Sequence, residues 1–181
     1  MAFARDKEAW IRAALAARPV GRAVVMGGTV PVEGVEWTIR PGSGRAPRLE
    51  GGALMVPGDA ARTGARVAAY LKVLARARLQ EACDRHAVAL GRRYSGLTLR
   101  DTKSRWGSCS ADGGLMFSWR LVMAPPAVLD YVAAHEVAHL AEMNHSARFW
   151  AEVARLMPGY AAPRAWLKRH GQELHSLMFT E

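Results

Sequence analysis

Apolar and polar positions along the chain of 181 residues change period several times, and each change marks a predicted element. Over 4–17, the spacing of Trp10, Ile11, Ala14 and Leu15 suits an amphipathic helix that Pro19 closes. Two short β-type runs follow, at 35–40 (VEWTIR) and 49–56 (LEGGALMV), and the breaker Pro41-Gly42-Ser43-Gly44 between them predicts a hairpin with a loose loop. Asp59 suits the N-cap of a long helix to about Leu90, with Val67, Tyr70, Leu71, Leu74, Leu79, Cys83 and Val88 on its apolar face and Gly91 as its stop. Between 97 and 123 the period shortens again, and turn signals at Lys103-Ser104 and Asp112-Gly113-Gly114 predict two or three antiparallel strands.

From Pro125 or Pro126 to about Glu142 the pattern is helical once more, and it is apolar nearly all round: Val128, Leu129, Val132, Ala133, Ala134, Val137, Ala138 and Leu140. A helix with no polar face is one buried on most sides. Asn144 tolerates positive φ and fits a sharp turn, Ser146 can cap the next helix, and Pro158-Gly159 ends that helix. A last helix begins near Pro163 and turns Trp166, Leu167, Leu174 and Leu177 inward. The expected organisation is one compact domain, in which 1–58 form a helix and hairpin region and 59–181 the core.

Inside the buried helix stand His135, Glu136 and His139 as HEVAH. Residues four apart lie one turn from each other on one helix face, so both imidazoles can reach a common cation while the backbone holds them rigid. Glu136 projects about 100° round the helix from His135, off the ligand stripe but near enough to take a proton from a metal-bound water. Catalytic zinc keeps three protein ligands and one open position. His145, six residues past His139, supplies the third through a turn and a returning chain. The bland alternative makes His135 and His139 buried rings bonded to backbone. It needs partners that the apolar surroundings do not offer. His170 and His175 are five apart and cannot share a face, and His86 has no neighbour in sequence, so these three are read as surface or satisfied core groups. Tyr131 and Arg105 are rival stabilisers of a developing oxyanion, while Asp130 and Glu142 are possible hydrogen-bond partners of the ligand rings. Trp106, Trp119, Trp150 and Cys109 are read as core.

Charge and cysteine change the picture in two respects. A formal net charge of +9 biases the surface toward anions, and Arg92, Arg93, Arg100, Lys103, Arg105 and Arg120 concentrate it beside the motif, against Asp101 and Asp112. Nucleotide or nucleic acid is therefore kept as a possible partner beside a polypeptide substrate. Cys83 and Cys109 are far apart with no CxxC pattern, so two reduced thiols are expected and neither is a ligand. Arg12 interrupts the longest N-terminal apolar stretch, no membrane span is read, and a soluble cytoplasmic protein is expected.

The run TKSRWGSCSADGGLMFSWRLVMAPPAVLDYVAAHEVAHLAEMNHSARFW, at 102–150, resembles the YgjP-like metallopeptidase family, a relative of the SprT and WLM groups of zincins. RWGSC, WRL, AP, DYV, HExxH and NHSxxFW occur in order, and the likeness continues through Pro158, Tyr160, Trp166, Leu167 and Lys168. The resemblance implies a zincin-like α+β fold, a small antiparallel sheet packed on helices with HExxH on the active-site helix, together with Zn2+ at His135, His139 and His145, Glu136 as catalytic base, and RWGSCS beside the cleft as an edge that an extended peptide could join. Relatives usually open with a further pair of strands where this chain predicts a helix, so part of the N-terminal sheet is expected to be missing. Glu142 stands where metzincins carry Gly, which places the chain outside that group. The resemblance makes a zinc-dependent metallopeptidase the leading reading. A metal-dependent nucleotide pyrophosphatase and a DNA-associated SprT-like protease are the alternatives.

Overall fold

The computed structural model describes residues 21–179, and the helix expected over 4–17 lies outside them. Two strands that the sequence pattern did not indicate, β1 (Arg22–Ala23) and β2 (Thr29–Val32), precede the predicted ones; β2 makes the N-terminal sheet larger than expected, while β1 pairs outside it. β2 forms an antiparallel hairpin with β3 (Val35–Gly42), closed by Glu33 and Gly34, both at positive φ (51° and 81°). Such a two-residue turn normally carries Asn, Asp or Gly at its first position. Glu33 fills it here while its carboxylate accepts a hydrogen bond from Arg78 and its amide donates to the Val122 carbonyl.

The hairpin predicted from 35–40 and 49–56 does not form. β3 instead pairs in parallel with β5 (Ala53–Pro57), and β4 (Arg48–Glu50) folds back antiparallel on the far side of β5, giving the order β2-β3-β5-β4. Gly51 and Gly52, at φ 55° and 77°, make the tight reversal, while the breaker at 41–44 only begins a wider crossing. The sequence run was therefore split in the wrong place.

Asp59 caps a short 3-10 turn, Ala60–Arg62, by accepting from the Ala61 amide, and the turn leads into α1 (Thr63–Leu90). Gly91 at φ 71° ends that helix with its amide bonded back into the last turn, as expected. Val67, Leu71, Leu79 and Cys83 are fully buried, but Val88, assigned to the same face, is 83% exposed. Across α1 lies a second sheet of order β6-β8-β7, from β6 (Gly96–Arg100), β7 (Gly107–Cys109) and β8 (Gly114–Ser118). Only the β7–β8 pair is antiparallel; β6 runs parallel to β8, because 101–106 carry the chain past β8 to its other edge.

LMFSWRLVM is not one strand. It leaves the sheet at Ser118 and coils into a 3-10 segment, Trp119–Met123, in which all five residues are buried. A run buried on every side gives no periodicity to separate strand from helix. Pro126 then stands at the first turn of α2 (Pro126–Ala138), where its missing N–H costs nothing. α2 packs on α1, α3 (Ala147–Leu156) and α4 (Ala161–Ser176), and its inward face meets β7. β9 (Leu177–Met178) closes the described chain by pairing in parallel with β1. Arg120 ties this end down: it is buried, forks onto Asp101, and donates to the carbonyls of Leu174 and Leu177. The class is α+β, as the resemblance implied.

Candidate metal centre

α2 stops at Ala138, four residues earlier than the pattern suggested, which puts His139 at the C-cap. Its backbone stays right-handed helical (φ −64°, ψ −18°), so the one-turn relation to His135 survives and the two ring centroids lie 5.1 Å apart. The amides of Leu140, Ala141 and Glu142 bond back to the carbonyls of Val137 and Ala138, tightening the end of the helix into a turn. Asn144 does not take positive φ; its side-chain oxygen accepts from the Ser146 amide, and Ser146 in turn caps α3 by accepting from Phe149. This reversal returns His145 to the helix.

One nitrogen from each of His135, His139 and His145 lies within 4.8 Å of the others. The Nε2 atoms of His135 and His145 are 3.1 Å apart. Nitrogen ligands about 2.05 Å from a tetrahedral zinc stand about 3.3 Å from one another, so the His135–His145 spacing suits that ion. The Nδ1–H of His139 donates to the Glu142 carbonyl at 3.0 Å, which leaves Nε2 as the lone-pair atom of that ring. Glu142 thus serves through its backbone and not its carboxylate. His135 Nδ1 is buried with no partner among the described residues.

Burial, and then the neighbouring rings of His139 and His145, push His135 down to about 4. His139 is lowered chiefly by burial as well. Neutral imidazoles are the form that can bind a metal. Phe149, fully buried, lies against all three rings, with centroids 4.4 Å from His139 and 4.8 Å from His135 and His145. It begins the FW pair four residues past His145, in the first turn of α3, and meets that ring edge-to-face.

Glu136 is 6% exposed, and burial raises its carboxyl to about 8, with the charge of Arg105 opposing. Its side chain lies on Gly107 of β7: a Cβ there would stand 2.6 Å from both Cγ and Oε1 of Glu136. Gly107 is therefore the residue that makes room for the carboxylate, and the sequence reading passed over it. Arg105 is exposed and acts on Glu136 by its charge. Tyr131 is buried with its ring 5.9 Å from that of His135 and stacked on Tyr160, so it borders the site.

The remaining histidines lie elsewhere. His86 is buried and bonded to Asp130, which also binds Arg85, so Asp130 supports the α1–α2 contact and no ligand ring. His170 faces Glu173, and His175 stacks on Trp106. Of the six basic residues singled out at 92–120, Arg120 is consumed by its buried contacts, while the other five are exposed. Among the described residues no helix is long and apolar enough to cross a membrane.

A family profile described as "YgjP-like, metallopeptidase domain" matches residues 1–170. The crystal structure of the metallopeptidase zymogen of Pyrococcus abyssi abylysin is a solved structure to which the chain is similar: TM-score 0.46, 22% identity, 55% of this chain and 98% of that one. No curated protein matches the sequence.

Proposed function

Because the chain belongs to the YgjP-like metallopeptidase family, we propose that it hydrolyses peptide bonds with zinc held by His135, His139 and His145 and with Glu136 as general base. The observation that carries this reading is the convergence of the three ring nitrogens within 4.8 Å beside a buried carboxyl on the adjoining residue. Zinc, when bound, would supply a Lewis acid that brings the pKa of a coordinated water to about 7 and polarises a carbonyl.

The protein's own groups do the rest. Glu136 takes the proton of the attacking water and returns it to the leaving amine, a double duty that suits a carboxyl raised toward neutrality. Burial, opposed by the charge of Arg105, sets it at about 8, and the charge of a bound dication would act in the same sense as Arg105, favouring the ionised base. Gly107 and the wall of β7 hold the carboxylate in place. Among the described residues β7 is an edge strand paired only with β8, so an extended substrate can align along it next to Glu136. Tyr131, at the border of the site, and Arg105 are the groups available to a developing oxyanion.

The test is Glu136→Gln. The variant should keep its zinc and lose nearly all turnover of an unfolded protein substrate; undiminished turnover refutes the assignment. Nucleoside triphosphates run in parallel should release no phosphate, and phosphate release without proteolysis would replace a peptide substrate with a nucleotide.

A further inference from the structure

Beside the metal centre lies a cleft of about 530 Å³, within the size range of small-ligand sites. Trp106, Tyr131 and Tyr160 give it aromatic walls, and Arg164 and Lys168 give it charge. Two of its walls adjoin residues of that site. Tyr131 lies next to His135, and Trp106 immediately precedes Gly107, against which the Glu136 carboxyl rests. Tyr160, Arg164 and Lys168 are spaced by four along α4 and its N-cap, so they form one stripe aimed at the cleft.

The charge of this cleft is one-sided. No carboxylate lines it, and among the described residues neither Arg164 nor Lys168 has an acidic partner within salt-bridge distance. The cleft between α1 and the start of α2 is different: there Arg78 faces Glu33 and Arg85 faces Asp130, so its cations are already matched. Arg164 is also held in place. Its guanidinium lies 4.5 Å over the Trp150 ring, which itself stacks on Tyr160. A planar cation fixed on an aromatic face beside the Tyr131 hydroxyl, with no carboxylate against it, is well suited to fork onto one.

We propose that this cleft is a subsite for a carboxylate carried by the peptide substrate next to the bond being cut, with Arg164 as its main recognition group and Lys168 as its second charge. The carboxylate can come from an acidic side chain or from a free C-terminus. The inference rests on the peptidase reading above and adds to it the class of substrate.

The experiment uses the zinc-loaded protein and a matched set of peptides that differ only in Glu, Gln or Lys at each position flanking the scissile bond, each made with a free and an amidated C-terminus. Cleavage is mapped by mass spectrometry. Binding is measured separately by calorimetry on the Glu136→Gln variant. The expected result is a preference for Glu over Gln of about tenfold or more at one flanking position, the scale of a hydrogen bond to a charged group. Arg164→Glu should reverse it toward Lys, and Lys168→Glu should weaken it. Arg164 and Lys168 are exposed on α4, and circular dichroism checks that both variants fold. If the preference follows the free terminus and not the side chain, the terminal carboxylate is the occupant and the subsite stands. Cleavage indifferent to Glu, Gln and Lys at both termini, or a preference that Arg164→Glu leaves unchanged, overturns the subsite and leaves the peptidase reading intact. Charge-selective binding without cleavage of any peptide upholds the subsite and overturns the peptidase reading.

Discussion

Gly107→Ala is the sharpest perturbation of the proposed base. The added methyl would meet Cγ and Oε1 of Glu136 at 2.6 Å and Cδ at 2.8 Å, and restoring ordinary contact requires the carboxylate to retreat by about 0.8 Å. Glu136 is buried, so its side chain cannot swing into solvent to relieve the clash. A misplacement of about 1 Å costs on the order of a hundredfold in rate, equivalent to about 2.7 kcal/mol. Gly107 does not occupy the left-handed region, so alanine brings no backbone strain. Overpacking of about 1–3 kcal/mol is too little to unfold a domain of ordinary stability. The expected outcome is a folded protein with its full zinc content and about one hundredth of the wild-type kcat/KM on a quenched peptide. Gly96→Ala, where a methyl would meet nothing within 4 Å, should leave kcat/KM unchanged. Full turnover by folded, zinc-loaded Gly107→Ala would refute the placement of the base against β7.

Three further outcomes are expected. His145→Ala, which removes an exposed ring, should leave the melting temperature of the metal-free protein nearly unchanged while weakening zinc binding by more than the roughly 10–100-fold typical of losing a supporting hydrogen bond; competition with a chelator measures it. Burial pushes the Asp130 carboxyl up, but the His86 hydrogen bond and the charges of His86 and Arg85 outweigh it and hold the group below the usual carboxylate range. Its stabilising contribution is therefore complete above the unfolded-state value and lost as pH falls through the folded one, so the Tm gap between wild type and Asp130→Asn should shrink between pH 7 and acid; a constant gap contradicts it. Arg120→Met leaves the Leu174 and Leu177 carbonyls without their donor and should cost about 3 kcal/mol, a fall in Tm of about 10 °C by thermal melt.

The residues of the site that could be found in the sequence were those governed by local geometry. His135, Glu136 and His139 are fixed relative to each other by helix periodicity alone, and the short reversal through Asn144 and Ser146 brings His145 along. Where helix α2 ends mattered less than expected, because His139 keeps helical dihedrals beyond the last helical hydrogen bond. Strand partners were harder to find. Whether β3 and β6 pair with the next strand or the one after depends on which loop makes the tight reversal, and the Glu33-Gly34 and Gly51-Gly52 turns were hidden behind louder Pro and Gly signals at 41–44. Gly107 was invisible for a different reason: its role is to leave space for a side chain 29 positions away, and nothing in its own segment reports that. The stripe of Tyr160, Arg164 and Lys168 reads in sequence like any solvated helix face, and only its placement against Trp106 and Tyr131 gives it meaning.

The account depends on three imidazoles sharing one ion, and X-ray absorption at the zinc edge on the loaded protein addresses this directly. It should report three histidine nitrogens at about 2.0–2.1 Å and one further light atom, with no sulfur in the shell. A shell containing Cys109 sulfur, or one with fewer than three imidazoles, would contradict it.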